Sequence, residues 1–294
     1  MPAAEIAYMS AAEMSDHIRH KRLSAVDVME ATLARAEKAQ AALNCFITIC
    51  GDDALREARA ADERQARGEP LGPLHGVPLH VKDLVNTKGV RTTFGSLMLE
   101  HNVPEEDQAC IERLKAAGAI LFAKTTTPEF GHMVWTEAPL FGRTRNAWDA
   151  TRTSAGSSGG AAVACAAGVG PIGVATDAGG STRIPAAANG LVGLKQSIGM
   201  IPHDIAPDGF ANMSYITPMT RTVMDTGLML EAMAGWHPSD PHSYAMSAAG
   251  SVAAARGEGD LDGLRFAWRP YLANTVIDHE VLAACEVSAA AFSE

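Results

Sequence analysis

The apolar residues of the first part of the chain recur at helical spacing. Ser10 is followed three residues later by Glu13, the spacing of a capping box at a helix start. Ser24 precedes a second apolar stripe, which consists of Val26, Met29, Leu33 and Ala36. The pattern therefore predicts an N-terminal helical segment over residues 1–70 that packs on the rest of the protein.

From Gly76 the pattern changes to short apolar runs that alternate with helical segments. Strands are predicted in "GVPLHVKDLV" (76–85) and "AILFAK" (119–124), and helices over 107–117 and within 220–235. This alternation predicts an α/β protein with a mixed or parallel buried sheet covered by helices. Its active site is expected in loops at strand ends.

A long stretch between Arg152 and Asp177 contains no charged residue. A membrane span would need about 20 predominantly apolar residues, but this stretch contains several serines, six glycines and Pro171. The glycines at 168, 170 and 173 fit G-x-G-x-x-G, yet they connect a predicted helix to a following strand. That order is the reverse of a dinucleotide site. The stretch is therefore interpreted as a scaffold that holds two serine loops.

Composition and net charge disfavour two classes of binding partner. The chain has 294 residues, of which 47% are hydrophobic, so it can bury a large core. Its formal net charge of −10 disfavours nucleic acid and anionic membranes as partners. The first residues form neither a basic leader nor an apolar block, which predicts a cytoplasmic protein. Formation of a homodimer is compatible with the sequence.

The cysteines and histidines do not form a metal-binding pattern. The five cysteines include no C-x-x-C pair, so they are predicted to be reduced core thiols. His75 and His80 lack both helical i, i+4 spacing and a cysteine partner in sequence. No metal site and no cofactor are predicted.

Candidate chemistry begins at Ser181, which follows Ala178-Gly179-Gly180. Small residues in a turn let backbone N–H groups converge as an oxyanion hole requires, although the same residues also suit a plain tight turn. No histidine lies in a lipase-like setting, so the base is sought among lysines. Lys82, which ends an apolar segment, is the best candidate. Lys124 and Lys195 also end such segments and are expected to be snorkelling or ion-paired.

Five segments together resemble the amidase signature family of serine amidohydrolases. They are "GVPLHVKD" (76–83), "GAILFAKTTTPEFG" (118–131), "PLFGRTRNAWDATRTSAGSSGG" (139–160), "TDAGGSTRIPAAANGLVGLK" (176–195) and "ITPMTRTVMD" (216–225). The resemblance implies a large mixed sheet with helices on both faces. It also implies an amidase signature core over 71–235 and a flexible loop over 236–262.

The resemblance implies a Ser-cisSer-Lys triad formed by Ser181, Ser157 and Lys82, with a cis peptide bond before Ser157. Lys82 would accept a proton from Ser181 through Ser157. Backbone N–H groups of Ala178, Gly179, Gly180 and Ser181 would hold the oxyanion. Ser158, Asp177 and Arg183 are expected to support the site, Arg183 by pairing with Asp177 or by meeting a substrate carboxylate. The implied substrate is a small carboxylic amide.

Several residues depart from the family pattern. Ala155 stands where glycine is common before the serine pair, and alanine resists positive φ. Ala178 stands where the family commonly has threonine or glycine, and Gln196 where proline is usual. The aromatic and apolar residues Phe130, His132, Met133 and Trp135 are expected to pack in the core rather than to line an acyl pocket.

The chain ends at Glu294, whereas family members usually run well past this point. Residues 263–294 are therefore interpreted as the start of a C-terminal portion that is cut short, with a strand in "LDGLRFAWRP" and a helix carrying Leu282 and Cys285. Three functions remain open: a stand-alone amide hydrolase, the glutamine-hydrolysing A subunit of a transamidating complex, and an inactive remnant. The second would require partner subunits, although Ile184 stands where that subgroup often has glutamine.

Overall fold

The computed structural model describes residues 2–205, 213–243, 246–259, 263–271 and 276–293. The chain forms two compact units, Met1–Gly257 and Glu258–Glu294. Within the described residues, no helix is long and apolar enough to cross a membrane.

The helices of the first unit are α1 (Ala3–Tyr8), α2 (Ala11–Arg19), α3 (Ala25–Leu43), α4 (Gly51–Ala66), α5 (Ala109–Ala116), α6 (Gly159–Ala166), α7 (Arg183–Asn189), α8 (Val223–Met233) and α9 (Ser251–Ala255). The strands are β1 (Phe46–Ile49), β2 (Pro78–Lys82), β3 (Ile120–Thr125), β4 (Glu137–Ala138), β5 (Gly142–Arg143), β6 (Ile172–Asp177), β7 (Val192–Gly193) and β8 (Tyr215–Thr220). Short 3-10 helices span Leu97–Leu99 and Glu129–Gly131.

The predicted capping box at Ser10 is confirmed at the start of α2. The Ser10 hydroxyl accepts a hydrogen bond from the Glu13 N–H, and the Glu13 side chain accepts one from the Ser10 N–H. Ser24 and Asp27 form the same arrangement before α3. The strand β1 also lies within the first 70 residues, where the sequence pattern indicated only helices.

The large sheet is mixed, as expected. Its strand order is β1-β3-β2-β6-β8-β7, in which β2 runs parallel to both β3 and β6 while the remaining neighbours are antiparallel. The carboxyl ends of parallel strands meet at the same edge of a sheet. The ends of β2 and β6, Lys82 and Asp177, are therefore on one edge.

Helices cover both faces of the sheet. On one face Ile172, Val174 and Ile216 belong to the main core together with residues of α5 and α8. On the other face Ala175 and Met219 pack with α6 and α7. The alternation of side chains along β6 and β8 produces this division, because successive residues point to opposite faces.

The uncharged stretch lies in the centre of the first unit. All residues of β6 are buried, as are Gly159 to Cys165 of α6. At Gly160 a Cβ would lie 2.5 Å from the Thr126 nitrogen and 2.7 Å from the Cys45 oxygen, so only glycine allows this approach. The scaffold interpretation is confirmed: the stretch crosses the core once as a helix and once as a strand.

The second unit contains α10 (His279–Ala290) and a 3-10 helix, Ala291–Ser293. Leu282 is half-buried on α10, but Cys285 is exposed, so the prediction of core thiols is wrong for this cysteine. The helix begins after Asp278, whose carboxylate accepts the N–H groups of Glu280 and Val281. The predicted strand in "LDGLRFAWRP" is absent from the described residues 263–271, and the first two positions of that segment lie outside the described residues.

Candidate active site

Lys82, the last residue of β2, is fully buried and lies among three hydroxyl groups. Its Nζ is 2.6 Å from Ser157 Oγ, 2.9 Å from Ser158 Oγ and 2.8 Å from Thr176 Oγ1. The two serines immediately precede α6, and Thr176 belongs to β6. The fold thus brings the predicted Lys82 together with Ser157 and Ser158 of the first serine loop. Thr176 also contacts Lys82, and the sequence analysis did not identify it.

The surroundings of Lys82 favour its neutral form. Burial lowers the pKa of the Lys82 ammonium well below its ordinary value, and the negative charge of Asp177 offsets only part of this effect. The three groups within hydrogen-bonding distance are neutral hydroxyls, so among the described residues no anion contacts Nζ directly. A neutral amine has a lone pair and can act as a base.

The hydrogen bonds around Lys82 favour one direction of proton transfer. A neutral amine donates two hydrogen bonds and accepts one. The Ser158 hydroxyl donates to the Thr176 carbonyl oxygen at 3.2 Å, so towards Lys82 it can only accept. The contact with Ser157 is the shortest of the three, and the Ser157 hydroxyl has no other hydrogen-bond partner among the described residues. The hydroxyls of Ser157 and Thr176 are therefore the two possible donors to the Lys82 lone pair, and the Ser157 contact is the shorter one.

The backbone before Ser157 has the conformation that the resemblance implies. The Gly156–Ser157 peptide bond is cis. Ala155 takes a φ of 59°, so this loop is left-handed even though alanine stands where glycine is common. The Ala155 carbonyl oxygen accepts a hydrogen bond from Thr136 Oγ1 at 2.9 Å, which helps to fix the loop.

The loop that carries Ser181 is fixed by Asp177. The buried carboxylate accepts the N–H groups of Gly180 at 2.7 Å and Thr182 at 3.2 Å. The Arg183 guanidinium meets both carboxylate oxygens, at 2.9 and 2.8 Å, so the expected pairing is present. Burial by itself would raise the pKa of Asp177, but the bonds from Arg183 and the backbone outweigh burial and lower that pKa to about 2.

The two serine loops are joined by their backbones. The Ser158 N–H donates to the Ser181 carbonyl oxygen at 3.1 Å. The Ser181 side chain is half-buried, and its Oγ forms no hydrogen bond with any residue that the structure describes. Ser181 therefore lies beside the lysine cluster, but its hydroxyl is not bonded to Ser157.

Three of the four expected oxyanion-hole amides are available. The Gly180 N–H donates to Asp177, so in this structure it is not free to meet an oxyanion. The N–H groups of Ala178, Gly179 and Ser181 have no acceptor within the described part of the chain. Ala178 and Gly179 are exposed residues.

The expectation that the segment after Glu129 packs in the core is wrong. Phe130 is 45% exposed, Met133 42% and Trp135 47%, and His132 is exposed as well. The segment lies against the serine loop, because a Cβ on Gly131 would be 3.3 Å from Ser157 Oγ.

The other lysines and histidines lie outside the hydroxyl cluster. Lys124 is buried and ion-paired with Asp83 at 3.7 Å, whereas Lys195 Nζ lies 3.8 Å from the centre of the Tyr215 ring. His80 is buried with its Nε2 3.3 Å from Cys165 Sγ, and burial lowers the pKa of His80 to about 3. Within the described residues no group of three potential metal ligands occurs.

Comparison with known proteins places the chain in a family. The sequence profile of the amidase family matches residues 27–294. An acylamidase from Rhodococcus erythropolis is 40% identical over 294 residues, which is all of this chain and 61% of that protein. The A subunit of the glutamyl-tRNA(Gln) amidotransferase from Carboxydothermus hydrogenoformans is 41% identical over 239 residues, which is 81% of this chain and 49% of that protein.

The solved structures agree with these matches. The crystal structure of a bacterial aryl acylamidase of the amidase signature family superposes with a TM-score of 0.78 at 33% identity. The superposition covers 82% of this chain and 50% of that protein. The chain therefore belongs to the amidase signature family. It spans about half to three-fifths of the length of the curated relatives it matches.

Proposed function

We propose that this chain hydrolyses the C–N bond of carboxylic amides through a serine acyl-enzyme, with Ser181 as nucleophile, Ser157 as proton relay and Lys82 as base. The observation that carries the proposal is the buried amine of Lys82, which lies 2.6 Å from the Ser157 hydroxyl. Such an amine can accept a proton at neutral pH because its charged form is disfavoured by burial.

In the first half of the reaction, Ser181 Oγ attacks the amide carbonyl carbon after its side chain has turned towards Ser157. The Ser181 proton passes to Ser157 Oγ while the Ser157 proton passes to Lys82 Nζ. The negative charge that develops on the carbonyl oxygen is stabilised by the free N–H groups of Ala178, Gly179 and Ser181. The C–N bond then breaks, and the protonated Lys82 returns its proton through Ser157 to the leaving nitrogen.

In the second half, water attacks the acyl-enzyme and gives its proton to the same relay. The tetrahedral intermediate collapses with release of the carboxylic acid, and Ser181 Oγ regains its proton. Asp177 and Arg183 hold the loop during these steps, because their bidentate pair fixes the turn on which Ser181 lies. The proposed steps involve only residues of the chain, the amide and water.

The class of amide is proposed from the relatives. Similarity to an acylamidase and to an aryl acylamidase supports an N-acyl or aryl amide as substrate. The exposed aromatic residues Phe130 and Trp135 beside the serine loop are compatible with an apolar substituent. Under this proposal the enzyme works without partner subunits.

A second candidate function is glutamine hydrolysis within an amidotransferase complex. The 41% identity to the A component of such a complex favours it. That subgroup often has glutamine at the position of Ile184, which argues against glutamine hydrolysis by this chain. Release of ammonia from glutamine that depends on added partner subunits would select this function over the stand-alone hydrolase. The third possibility, an inactive remnant, is an outcome of the labelling experiment that follows.

The test is covalent labelling of the purified chain with a fluorophosphonate, followed by peptide mass spectrometry. We expect labelling at Ser181 that disappears in Ser181→Ala, while the exposed Ser197→Ala control is labelled like the wild type. Hydrolysis of an acyl anilide should fall at least about 1,000-fold in Ser181→Ala. Labelling of another serine, or Ser181→Ala activity within tenfold of wild type, would contradict the nucleophile assignment. A folded chain that is neither labelled nor active would be the inactive remnant.

A further inference from the structure

A second buried lysine lies at the end of the strand next to Lys82. Lys124 of β3 is fully buried, and its Nζ donates to the Val85 carbonyl oxygen at 2.6 Å and to Thr92 Oγ1 at 2.6 Å. Its ammonium lies 3.7 Å from Asp83 Oδ1, and Asp83 is also fully buried. This pair takes no part in the reaction proposed above, so its place in the protein needs another explanation.

By strand register, Lys124 lies on the opposite face of the sheet from Lys82. Lys124 is aligned with Val81, and Lys82 is aligned with Thr125, in the parallel pairing of β2 and β3. Since side chains alternate along a strand, Lys82 points away from the face that Val81, Lys124 and Asp83 share. Lys124 and Asp83 therefore do not contact the Lys82 amine, and any effect on the site must pass through the backbone.

Asp83 holds the segment that follows Lys82 in a folded-back loop. Its Oδ2 accepts the Thr93 N–H at 2.8 Å and the Thr93 hydroxyl at 2.5 Å. Its backbone oxygen accepts the Phe94 N–H at 3.1 Å. The Phe94 oxygen in turn accepts the Phe130 N–H at 2.8 Å. A continuous series of hydrogen bonds thus runs from the ion pair to the segment beside Ser157.

Phe94 and Phe130, which this last hydrogen bond joins, both have an unusual backbone conformation. Phe94 has a φ of 55° and Phe130 a φ of 50°, a region that bulky residues rarely adopt. Such residues persist only where their surroundings enforce them, and they cluster at functional sites. Each is followed by a glycine with positive φ, Gly95 and Gly131. The two Phe-Gly corners therefore depend on the loop that Asp83 anchors.

Gly131 transmits this arrangement to the serine loop. A Cβ at Gly131 would lie 2.7 Å from Leu84 Cδ1 and 3.3 Å from Ser157 Oγ, so the corner is in tight contact with both. A shift of the Phe130–Gly131 corner by a few tenths of an ångström would change the space in which the Ser157 hydroxyl turns. The ion pair and Ser157 are thereby linked through packed backbone.

We propose that Asp83 and Lys124 are positioning residues, whose ion pair fixes the two Phe-Gly corners against Ser157 and so holds the proton relay in place. A buried ion pair adds little stability over well-packed apolar residues, which leaves conformational specificity as its role here. The kinetic part of this proposal rests on the proposed function, whereas the structural part does not.

The experiment compares three proteins with the wild-type chain. The double variant Asp83→Asn/Lys124→Met removes the pair without leaving a lone buried charge. Thr93→Val removes the hydroxyl that donates to Asp83 and accepts the Gly95 N–H, so it loosens the hydrogen bonds between the ion pair and the first Phe-Gly corner. It is the variant to measure if the double variant does not fold. The control is Asp225→Asn, which alters a buried carboxylate that accepts the N–H groups of Ala11 and Ala12. Asp225 lies beyond the far end of β6, since Thr220 is paired with Ile172.

Two readouts are taken well below each unfolding temperature: hydrogen exchange of peptides covering 84–96 and 128–135, and the rate of fluorophosphonate labelling at Ser181. In the double variant we expect exchange to be at least about tenfold faster in both peptides and labelling at least about tenfold slower. Thr93→Val should make exchange about threefold faster and labelling about threefold slower. In the Asp225→Asn control both rates should stay within about twofold of wild type.

A folded double variant with wild-type exchange and wild-type labelling would overturn the proposal and leave the pair as a stabilising contact only. If the double variant does not fold, wild-type rates in Thr93→Val would overturn it in the same way. If the wild-type chain is not labelled at Ser181, the proposed function fails, and the exchange readout alone decides the positioning role.

Discussion

Two buried lysines at neighbouring strand ends show how surroundings set the charge of a side chain. Lys82 and Lys124 are both fully buried, but Lys82 contacts three hydroxyls whereas Lys124 contacts a carbonyl oxygen, hydroxyls and the carboxylate of Asp83. Burial lowers the pKa of both. The pKa of Lys82 falls well below its ordinary value. The pKa of Lys124 falls only to about 8, because the negative charge of Asp83 opposes the effect of burial.

At pH 7 the Lys124 amine is therefore mainly charged, whereas burial favours the neutral form of the Lys82 amine. Depth of burial does not distinguish the two sites, since neither side chain is exposed. The difference arises from the anion: Asp83 contacts Lys124, whereas Asp177 is engaged by Arg183 on its own loop. Under the proposed function, one strand end thus carries the base and the next carries a fixed cation.

The largest expected effect tests the neutral form of Lys82. Lys82→Arg keeps a cation that cannot lose its proton, so it should be nearly as inactive as Lys82→Ala, both at least about 1,000-fold below wild type. Wild-type turnover should fall as the pH drops through the lowered pKa of Lys82, because protonation removes the base.

The measurement is anilide turnover from pH 5 to 10, with circular dichroism to confirm folding. A Lys82→Arg protein that retains a large share of the wild-type rate would mean that Lys82 acts as a fixed cation. The contrast with Lys124 would then disappear.

The next effect concerns Lys124 and stability. Lys124→Met leaves the buried Asp83 carboxylate unpaired, so the free energy of unfolding should drop by about 3–5 kcal/mol. The double variant Asp83→Asn/Lys124→Met should recover most of this loss. Urea denaturation at pH 7 measures both, and a single variant as stable as the wild type would show that Asp83 is not charged beside Lys124.

The two serines next to Lys82 should differ from one another. Ser157→Ala interrupts proton transfer, so its rate should fall by more than a lost hydrogen bond of about 0.5–1.5 kcal/mol would cause. Ser158→Ala removes a hydroxyl that accepts from Lys82 and donates to the Thr176 carbonyl oxygen but takes no part in the proposed relay. Its effect should therefore stay near the range expected for lost hydrogen bonds. The measurement is amide turnover of the two variants under identical conditions. A larger loss of turnover in Ser158→Ala would assign the relay to Ser158 instead of Ser157.

The smallest expected effect is a gain in stability. Lys82→Met removes a buried amine, so the free energy of unfolding at pH 7 should rise by about 0.5–2 kcal/mol, as for other costly active-site residues. Since folding lowers the pKa of Lys82, the unfolded chain binds more protons at neutral pH, and wild-type stability should increase towards pH 10.

The gain from Lys82→Met should therefore shrink as the pH approaches the ordinary lysine value of about 10.4. Denaturation curves at pH 7 and pH 10 measure this change. A gain that does not depend on pH would indicate packing rather than ionisation.

Much of the fold followed from local pattern. The capping box at Ser10, the strands ending near Lys82 and Lys124, and the uncharged stretch before Asp177 were predictable because each depends on residues close in sequence. The motif resemblance supplied the serine loops and the cis bond before Ser157. The short strand β1 and the lack of a strand in the described residues 263–271 were not predictable, since both features depend on distant neighbours.

The sequence by itself determined the residue types at the site and the local turns that carry them. Only the tertiary structure decided which of them meet, because Lys82 contacts Ser157 and Thr176 across 75 and 94 positions of chain. It likewise brought Cys165 to His80 and left the segment after Glu129 exposed rather than in the core. The physical reason is that a side chain's charge and exposure depend on neighbours across the sheet, and strand pairing, not sequence distance, selects those neighbours.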